Sequence, residues 1–373
     1  MTTPGAQPSA LADVLTGLLE DAVAGGVTPS ATCAVVMGGR PQPVVAAGAA
    51  TAATYFDLAS ITKVFTAVTA LSLVDSGDLA LDESVGTWLP DYGNGAKSAV
   101  TLRHLLTHTS GLPAVWPGWR SALATGEPFN RRDLLADLLA MDLSAAPGTR
   151  FEYSCVGFNT VMALAERATG RPWGELVGER VLGKLVGGNF APGSPELTGS
   201  PDPERCAPTE LQPEYGRGMV QGVVHDESAW SLGGLSGNAG MFGTATGLAV
   251  FGDSLREGLP GILSPALAEE MWRDQLPEVL GHHLAAGGPG YGHGLGLRIG
   301  QESWMGAHPG ARGHNGFTGT SLLMDREAGI TAVLLTNRVH PSRTLSDVTE
   351  LRHAVADAAY AGASALTEQP TQY

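Results

Sequence analysis

Apolar residues recur along this chain in two spacings, and the places where one gives way to the other mark out its elements. Over residues 9–24, Leu11, Val14, Leu15, Leu18, Leu19 and Ala22 fall on one helical face behind a capping Ser9. Two short apolar runs follow, 31–37 and 43–47, and Gly38, Gly39 and Arg40 between them predict a hairpin. From Ser60 onward, Val64, Ala67, Val68, Leu71 and Val74 restore the helical period, and Gly77 ends it. This predicts a buried helix that begins at or next to Ser60.

Between residues 78 and 285 the spacing is helical in pieces, over 102–107, 131–141, 156–169, 173–185 and 244–257, with loops rich in Gly and Pro between them. Past Gly290 it changes to short apolar runs at 294–299, 322–324 and 330–335, read as strands, before a closing helix over 346–363. Strands near both ends with helices between them predict one α/β layer built from 1–77 and 286–373. Residues 78–285 then form a mostly helical insertion, with a site between the two units.

Composition narrows the partners. The 373 residues carry 22 basic against 37 acidic side chains, a net charge of −15, which argues against nucleic acid and anionic membranes. Hydrophobic residues make up 43%, too many for a disordered chain. No uncharged apolar run reaches a membrane-spanning length, no basic residue precedes Arg40, and three cysteines make no disulfide framework; the expectation is a cytoplasmic protein without a membrane partner. Only three of the 22 basic residues are lysines (Lys63, Lys97, Lys184). Arg does not give up its proton in a protein and Lys does, so each lysine in so Arg-biased a chain merits inspection.

Lys63 closes a Ser60-Ile61-Thr62-Lys63 stretch. At i and i+3 on a helix the hydroxyl and the amine share a face, and an amine stripped of water can serve as the base that a Ser nucleophile needs. Alone the motif is weak and a helix cap with a surface lysine stays an alternative, one that explains badly a lysine inside the apolar pattern of a helix in so Arg-biased a chain. Tyr153, Ser154 and Cys155 stand before the helix expected from 156, where a phenol could relay a proton; a half-buried aromatic is the plainer alternative. The third stretch, Gly313-His314-Asn315-Gly316-Phe317-Thr318-Gly319, leads into a strand, and glycines there let a substrate approach backbone N–H groups closely.

Taken in order, with their flanks, these stretches resemble the serine hydrolases related to class C β-lactamases, D-aminopeptidases, penicillin-binding proteins and family VIII esterases. The flanks are FDLASITKVFT at 56–66, TLRHLLTHTSGLP at 101–113, FEYSCVGFNT at 151–160, VHDESAWSLGGLSGNAGMF at 224–242 and HNGFTGTSLLMD at 314–325. The resemblance implies a β-lactamase/transpeptidase-like α/β (α+β) fold, a mostly antiparallel sheet flanked by helices with a mainly helical second region. It also implies an acyl-enzyme mechanism. Ser60 attacks a carbonyl, Lys63 and Tyr153 move the proton, and the N–H groups of Ser60 and Phe317 hold the oxyanion beside Gly316. His314 stands where many relatives carry Lys and would supply a weaker, pH-sensitive positive field.

The sequence departs from that pattern at three places. Cys155 replaces a loop asparagine whose amide in relatives steadies the lysine and binds the substrate; a thiol does neither well, and packing is its default role. Asn315 replaces a Thr, and Asn238 stands where relatives carry His. Other candidates weigh less. His104 and His108 at i, i+4 lack a third metal ligand, so no metal is expected; His282 and His283 read as solvated; Trp116 and Trp119 line an acyl pocket or anchor their loop.

The expectation is therefore a cofactor-free serine esterase, amidase or transacylase acting on a small-molecule ester or amide, with water or an amine or alcohol as the acyl acceptor. The departures fit the branch of relatives that transfers acyl groups in secondary metabolism. The alternatives are a catalytically inactive binding protein and a β-lactamase or D-peptidase.

Overall fold

A computed structural model describes residues 10–185, 196–282 and 291–367. Its main sheet has eight strands: β1 (Ser30–Met37), β2 (Arg40–Pro41), β3 (Val45–Gly48), β4 (Gly292–His293), β5 (Arg298–Ile299), β6 (Arg312–Asn315), β7 (Ser321–Asp325) and β8 (Ile330–Thr336). They run in the order β2-β1-β8-β7-β6-β5-β4, with β3 paired to β1, and every pairing is antiparallel. The centre joins the two ends of the chain, since Ala31 pairs with Thr336 and Met37 with Ile330.

Both faces of that centre are buried, and the strand period sorts the side chains between them. Cys33, Val35, Ala332 and Leu334 face one core with α1 (Ala10–Ala24) and the C-terminal helix Thr349–Thr367. Ala34, Val36, Val333 and Leu335 face the other, with α2 (Thr62–Asp75) and the helix Ala245–Arg256. The two helices of the second core are joined by the stacked rings of Phe65 and Phe251, 3.9 Å apart.

The expected helices over 102–107, 131–141, 156–169 and 244–257 appear as α3 (Leu102–Leu106), Arg131–Ala140, α4 (Cys155–Thr169) and Ala245–Arg256. Three expectations shift. The run 294–299 is half of a hairpin rather than one strand, because Gly294 N–H donates to Leu297 O (2.8 Å) and folds the chain between β4 and β5. The stretch 173–185 is helical only over Trp173–Arg180, followed by a 3-10 turn at Leu182–Lys184. The last helix starts at Thr349 rather than Ser346, where Asp347 Oδ1 accepts from the Thr349 N–H. The proposed cap Ser9 lies outside the described residues, and helices at Gly118–Ala124 and Pro265–Trp272 carried too short a period to be read from sequence. No helix among the described residues is long and apolar enough to cross a membrane.

Candidate active site

Ser60 lies in a 3-10 turn, Ala59–Ile61, that leads directly into α2. Ala59 holds φ at 47°, a left-handed conformation that costs a residue with a Cβ about 1 kcal/mol or more. The buried Asp57 carboxylate secures this turn, accepting from the N–H of Ala59 (2.8 Å) and of His225 (2.6 Å). Thr318 and Thr320 fasten it from the sheet side by donating to the carbonyls of Asp57 (2.7 Å) and Leu58 (3.1 Å). Gly316 is needed here: a Cβ would stand 2.6 Å from Leu58 O. The end of β6 thereby packs directly on the Ser60 turn, which brings the Gly316–Phe317 backbone to the nucleophile candidate. The Phe317 side chain turns away, 48% exposed, beneath the guanidinium groups of Arg338 and Arg343.

Lys63, fully buried, points its Nζ at Ser60 Oγ (3.1 Å) and at the carbonyl of Asn238 (3.0 Å). The Asn238 loop reaches α2 because Gly237 packs against the Phe158 carbonyl of α4, where a Cβ would clash at 1.9 Å. Burial pushes the Lys63 ammonium toward losing its proton, but Cys155 and Tyr153 beside it push the other way, with a smaller contribution from Asp226, and the balance lies above the ordinary lysine value. Desolvation alone therefore does not produce the free amine that the sequence reading invoked.

Tyr153 approaches from the opposite side, its ring 5.0 Å from Lys63 Nζ. Its loop is stitched to the segment after α3. Glu152 N–H donates to His108 O (2.8 Å), Ser154 N–H to His108 Nδ1 (2.9 Å), Ser154 Oγ to Pro113 O (2.6 Å) and Cys155 N–H to Ala114 O (2.8 Å). This accounts for the motif at 101–113, whose backbone positions the tyrosine. His104 and His108 do not share a helical face: α3 ends at Leu106, His104 caps it through Thr101, and His108 turns to φ 60°. His282 is exposed, and His283 lies outside the described residues.

His314 differs from its expected role. It is completely buried and its Nδ1–H donates to Asn315 O (2.8 Å), which leaves Nε2 as a bare acceptor. Burial first, then the charges of Arg298 and Lys63, hold its pKa well below the ordinary histidine value, so it is neutral at pH 7 and supplies no positive field. The cation on this side is Arg298 of β5, 4.8 Å from the Tyr153 ring, a residue that sequence reasoning passed over among 19 arginines. Tyr153 Oη, His108 Nε2, His293 Nε2, His314 Nε2 and Arg298 Nε are all buried without a hydrogen-bond partner among the described residues. Asn315, beside His314 on β6, is half-buried and pairs with Ser321.

Beside the Asn238 segment that holds Lys63 lies a cleft of about 170 Å³, lined by Val115, Trp116, Cys155, Asn159, Asp226 and Asn238 among others. Trp116 both lines it and anchors its loop, since its Nε1–H donates to Asp137 (2.7 Å). Trp119 also lines it and stands edge-on to Tyr215. Asp57, Asn159, Asp226 and Arg298 are the contributors that sequence missed; only Asp57, a lone acid three residues ahead of Ser60 in an apolar run, left a signal there.

Comparison with known proteins identifies the family and the fold. The Beta-lactamase family model matches residues 15–357. Esterase EstB of Burkholderia gladioli is 33% identical over 333 residues, covering 81% of this chain and 82% of the relative. N-acetylmuramyl-L-alanine amidase of Bacillus subtilis is 30% identical over 77% of this chain and 68% of its own length. Among solved structures, EstCE1, a hydrolase with promiscuous acyltransferase activity, superposes with a TM-score of 0.73 at 25% identity, covering 94% of this chain and 98% of its own. Simvastatin synthase (LovD) from Aspergillus terreus shares the fold, with a TM-score of 0.68 at 22% identity over 95% and 98% of the two chains. On the strength of the family match along nearly its whole length, the chain belongs to the Beta-lactamase family of serine hydrolases.

Proposed function

We propose that the protein is a serine acyl-enzyme hydrolase or acyltransferase for a small ester or amide, with Ser60 as nucleophile and Lys63 and Tyr153 as its proton-handling partners. The observation that carries this is the Ser60 Oγ to Lys63 Nζ contact of 3.1 Å, built from a fully buried lysine in a chain with only three lysines among its 22 basic residues. The Ser60 proton passes to the Lys63–Tyr153 pair, directly or through Lys63, in the form of the pair that carries one proton fewer than ammonium plus phenol, and the pair returns it to the leaving group. The N–H groups of Ser60 and Phe317 hold the developing oxyanion, Gly316 giving the close approach, while Asn315, His314 and Cys155 border the substrate. Trp116 supplies an apolar wall for the acyl group or its acceptor.

Deacylation by water gives an esterase; deacylation by an amine or alcohol gives a transacylase. The esterase relative and the acyltransferase activity of a structural neighbour support both outcomes of one acyl-enzyme. Incubation with a fluorophosphonate followed by peptide mapping tests the nucleophile: the adduct is expected on Ser60 and absent from Ser60→Ala. Label elsewhere, or full ester turnover in that variant, removes the reading. Supplying methyl esters with and without an amine then separates the two outcomes, amide forming faster than free acid if transfer dominates.

A further inference from the structure

The three cysteines have unequal surroundings. Cys33 is completely buried in the middle of β1, and burial pushes its thiol up to about 12. Cys206 is 5% exposed, donates its S–H to Asp202 O (3.2 Å), and is likewise pushed up to about 12 by burial. Cys33 is closed to a reagent in the folded chain, and Cys206, which edges a surface hollow, has its thiol engaged with the Asp202 carbonyl. Cys155 is partly buried, opens the 15-residue helix α4, and lines a cleft together with the Asn238 segment that bonds Lys63. Thiols that react are those that can be reached and that have a cation and a helix N-terminus beside them.

A second residue of the same cleft points to what would enter it. Asn159 lies one helical turn after Cys155, on the same face of α4, and is 1% exposed. Its Oδ1 accepts from the Asn238 N–H (3.1 Å), which fixes the orientation of the amide, and its Nδ2 is left without a partner among the described residues. A buried amide donor without an acceptor costs about 1–3 kcal/mol, which a carbonyl oxygen entering the cleft would relieve. The wall formed by Val115 and Trp116 suits the apolar remainder of such a molecule.

We propose that Cys155 is a covalent modification site for small carbonyl-bearing electrophiles, received by Asn159 in the Trp116 cleft, and that the adduct closes off the Ser60–Lys63 pair. With a haloacetamide the chemistry balances simply. A C–S bond forms to the methylene carbon, the carbon–halogen bond breaks, halide leaves, and the thiol proton passes to solvent. This goes beyond the acyl-enzyme reading and needs no turnover, since Ser60→Ala is expected to be alkylated as fast as the parent chain.

The test treats the full-length native protein with iodoacetamide and follows peptide masses and aryl-ester turnover together. Expected are one adduct, on Cys155, with Cys33 and Cys206 unmodified until the protein is denatured, and loss of turnover in step with that adduct. The activity that Cys155→Ala or Cys155→Ser retains is expected to be insensitive to the reagent, and Asn159→Leu is expected to slow alkylation of Cys155 several-fold. An unmodified Cys155 in native protein overturns the proposal, as does complete alkylation with turnover intact or equal sensitivity in the Cys155 variants.

Discussion

On the side of the site that carries Ser60, buried polar atoms are answered. Asp57 accepts two backbone N–H groups, two threonines cover the Asp57 and Leu58 carbonyls, and His225 Nε2 meets Glu210 at 2.9 Å beside Arg343. Across the site, around Tyr153, five buried polar atoms from Tyr153, three histidines and Arg298 have no partner among the described residues. The contrast separates two requirements. A strained turn at Ala59 survives only when its neighbours over-determine it, so the Ser60 side is saturated with hydrogen bonds. On the Tyr153 wall, by contrast, the polar atoms left without partners among the described residues are available to meet a substrate or its leaving group.

Variants of the two walls should accordingly fail in different ways. Tyr153→Phe is expected to lower kcat/KM by about 10²- to 10⁴-fold while thermal and denaturant midpoints hardly move, and Lys63→Arg to cost as much activity together with about 1–3 kcal/mol of stability, because the larger guanidinium must enter a fully buried site. Steady-state kinetics beside a urea titration reads both, and a Lys63→Arg enzyme at full activity would break the division outright. Asp57→Ala is the counterpart on the saturated wall. It orphans two buried N–H groups, so a loss of about 2–4 kcal/mol in unfolding free energy is expected, accompanied by reduced turnover.

Acid should expose the open wall first. His293 is held neutral by burial, with a folded pKa of about 3 against an ordinary 6.5. His108 and His314 are also held well below 6.5. Where the folded values are depressed, the unfolded chain binds more protons between the two, so stability is fully present above about 6.5 and drains as pH falls toward 3. Each such histidine adds up to about 1.4 kcal/mol per pH unit to that slope. Unfolding measured from pH 7 to 4.5 is expected to flatten by about one proton in His293→Phe, and an unchanged slope would mean that the ring is not held neutral. The smallest effect is expected at His314. Because it is neutral and serves no field, His314→Gln should cost less than about tenfold in turnover and leave the pH–rate profile without a lost inflection near 6.5.

Local patterns carried much of this into the sequence. The i, i+3 placement of Ser60 and Lys63, the helix following Cys155 and the glycines around Phe317 are short-range features, and periodicity reads short range well. What escaped it depends on chain crossings. Arg298 meets the Tyr153 ring only where β5 crosses the loop before α4, and Asn159 matters only because the Asn238 loop fixes one end of its amide. The protonation of His314 was misjudged for the same reason, since its burial and its bond to the Asn315 carbonyl come from tertiary packing. Lys63 lies within reach of Ser60, as an i, i+3 placement implies, yet the direction of its titration depends on Cys155 and Tyr153, about ninety residues away.

The central claim, that an acyl group is carried on Ser60, is tested most directly by rapid acid quench during turnover of a p-nitrophenyl ester, followed by mapping of the trapped acyl peptide. A burst of nitrophenol of about one equivalent, with the acyl group on Ser60 and no burst in Ser60→Ala, is the expected result. An acyl group found on Cys155, or turnover without any acylated serine, would contradict the account.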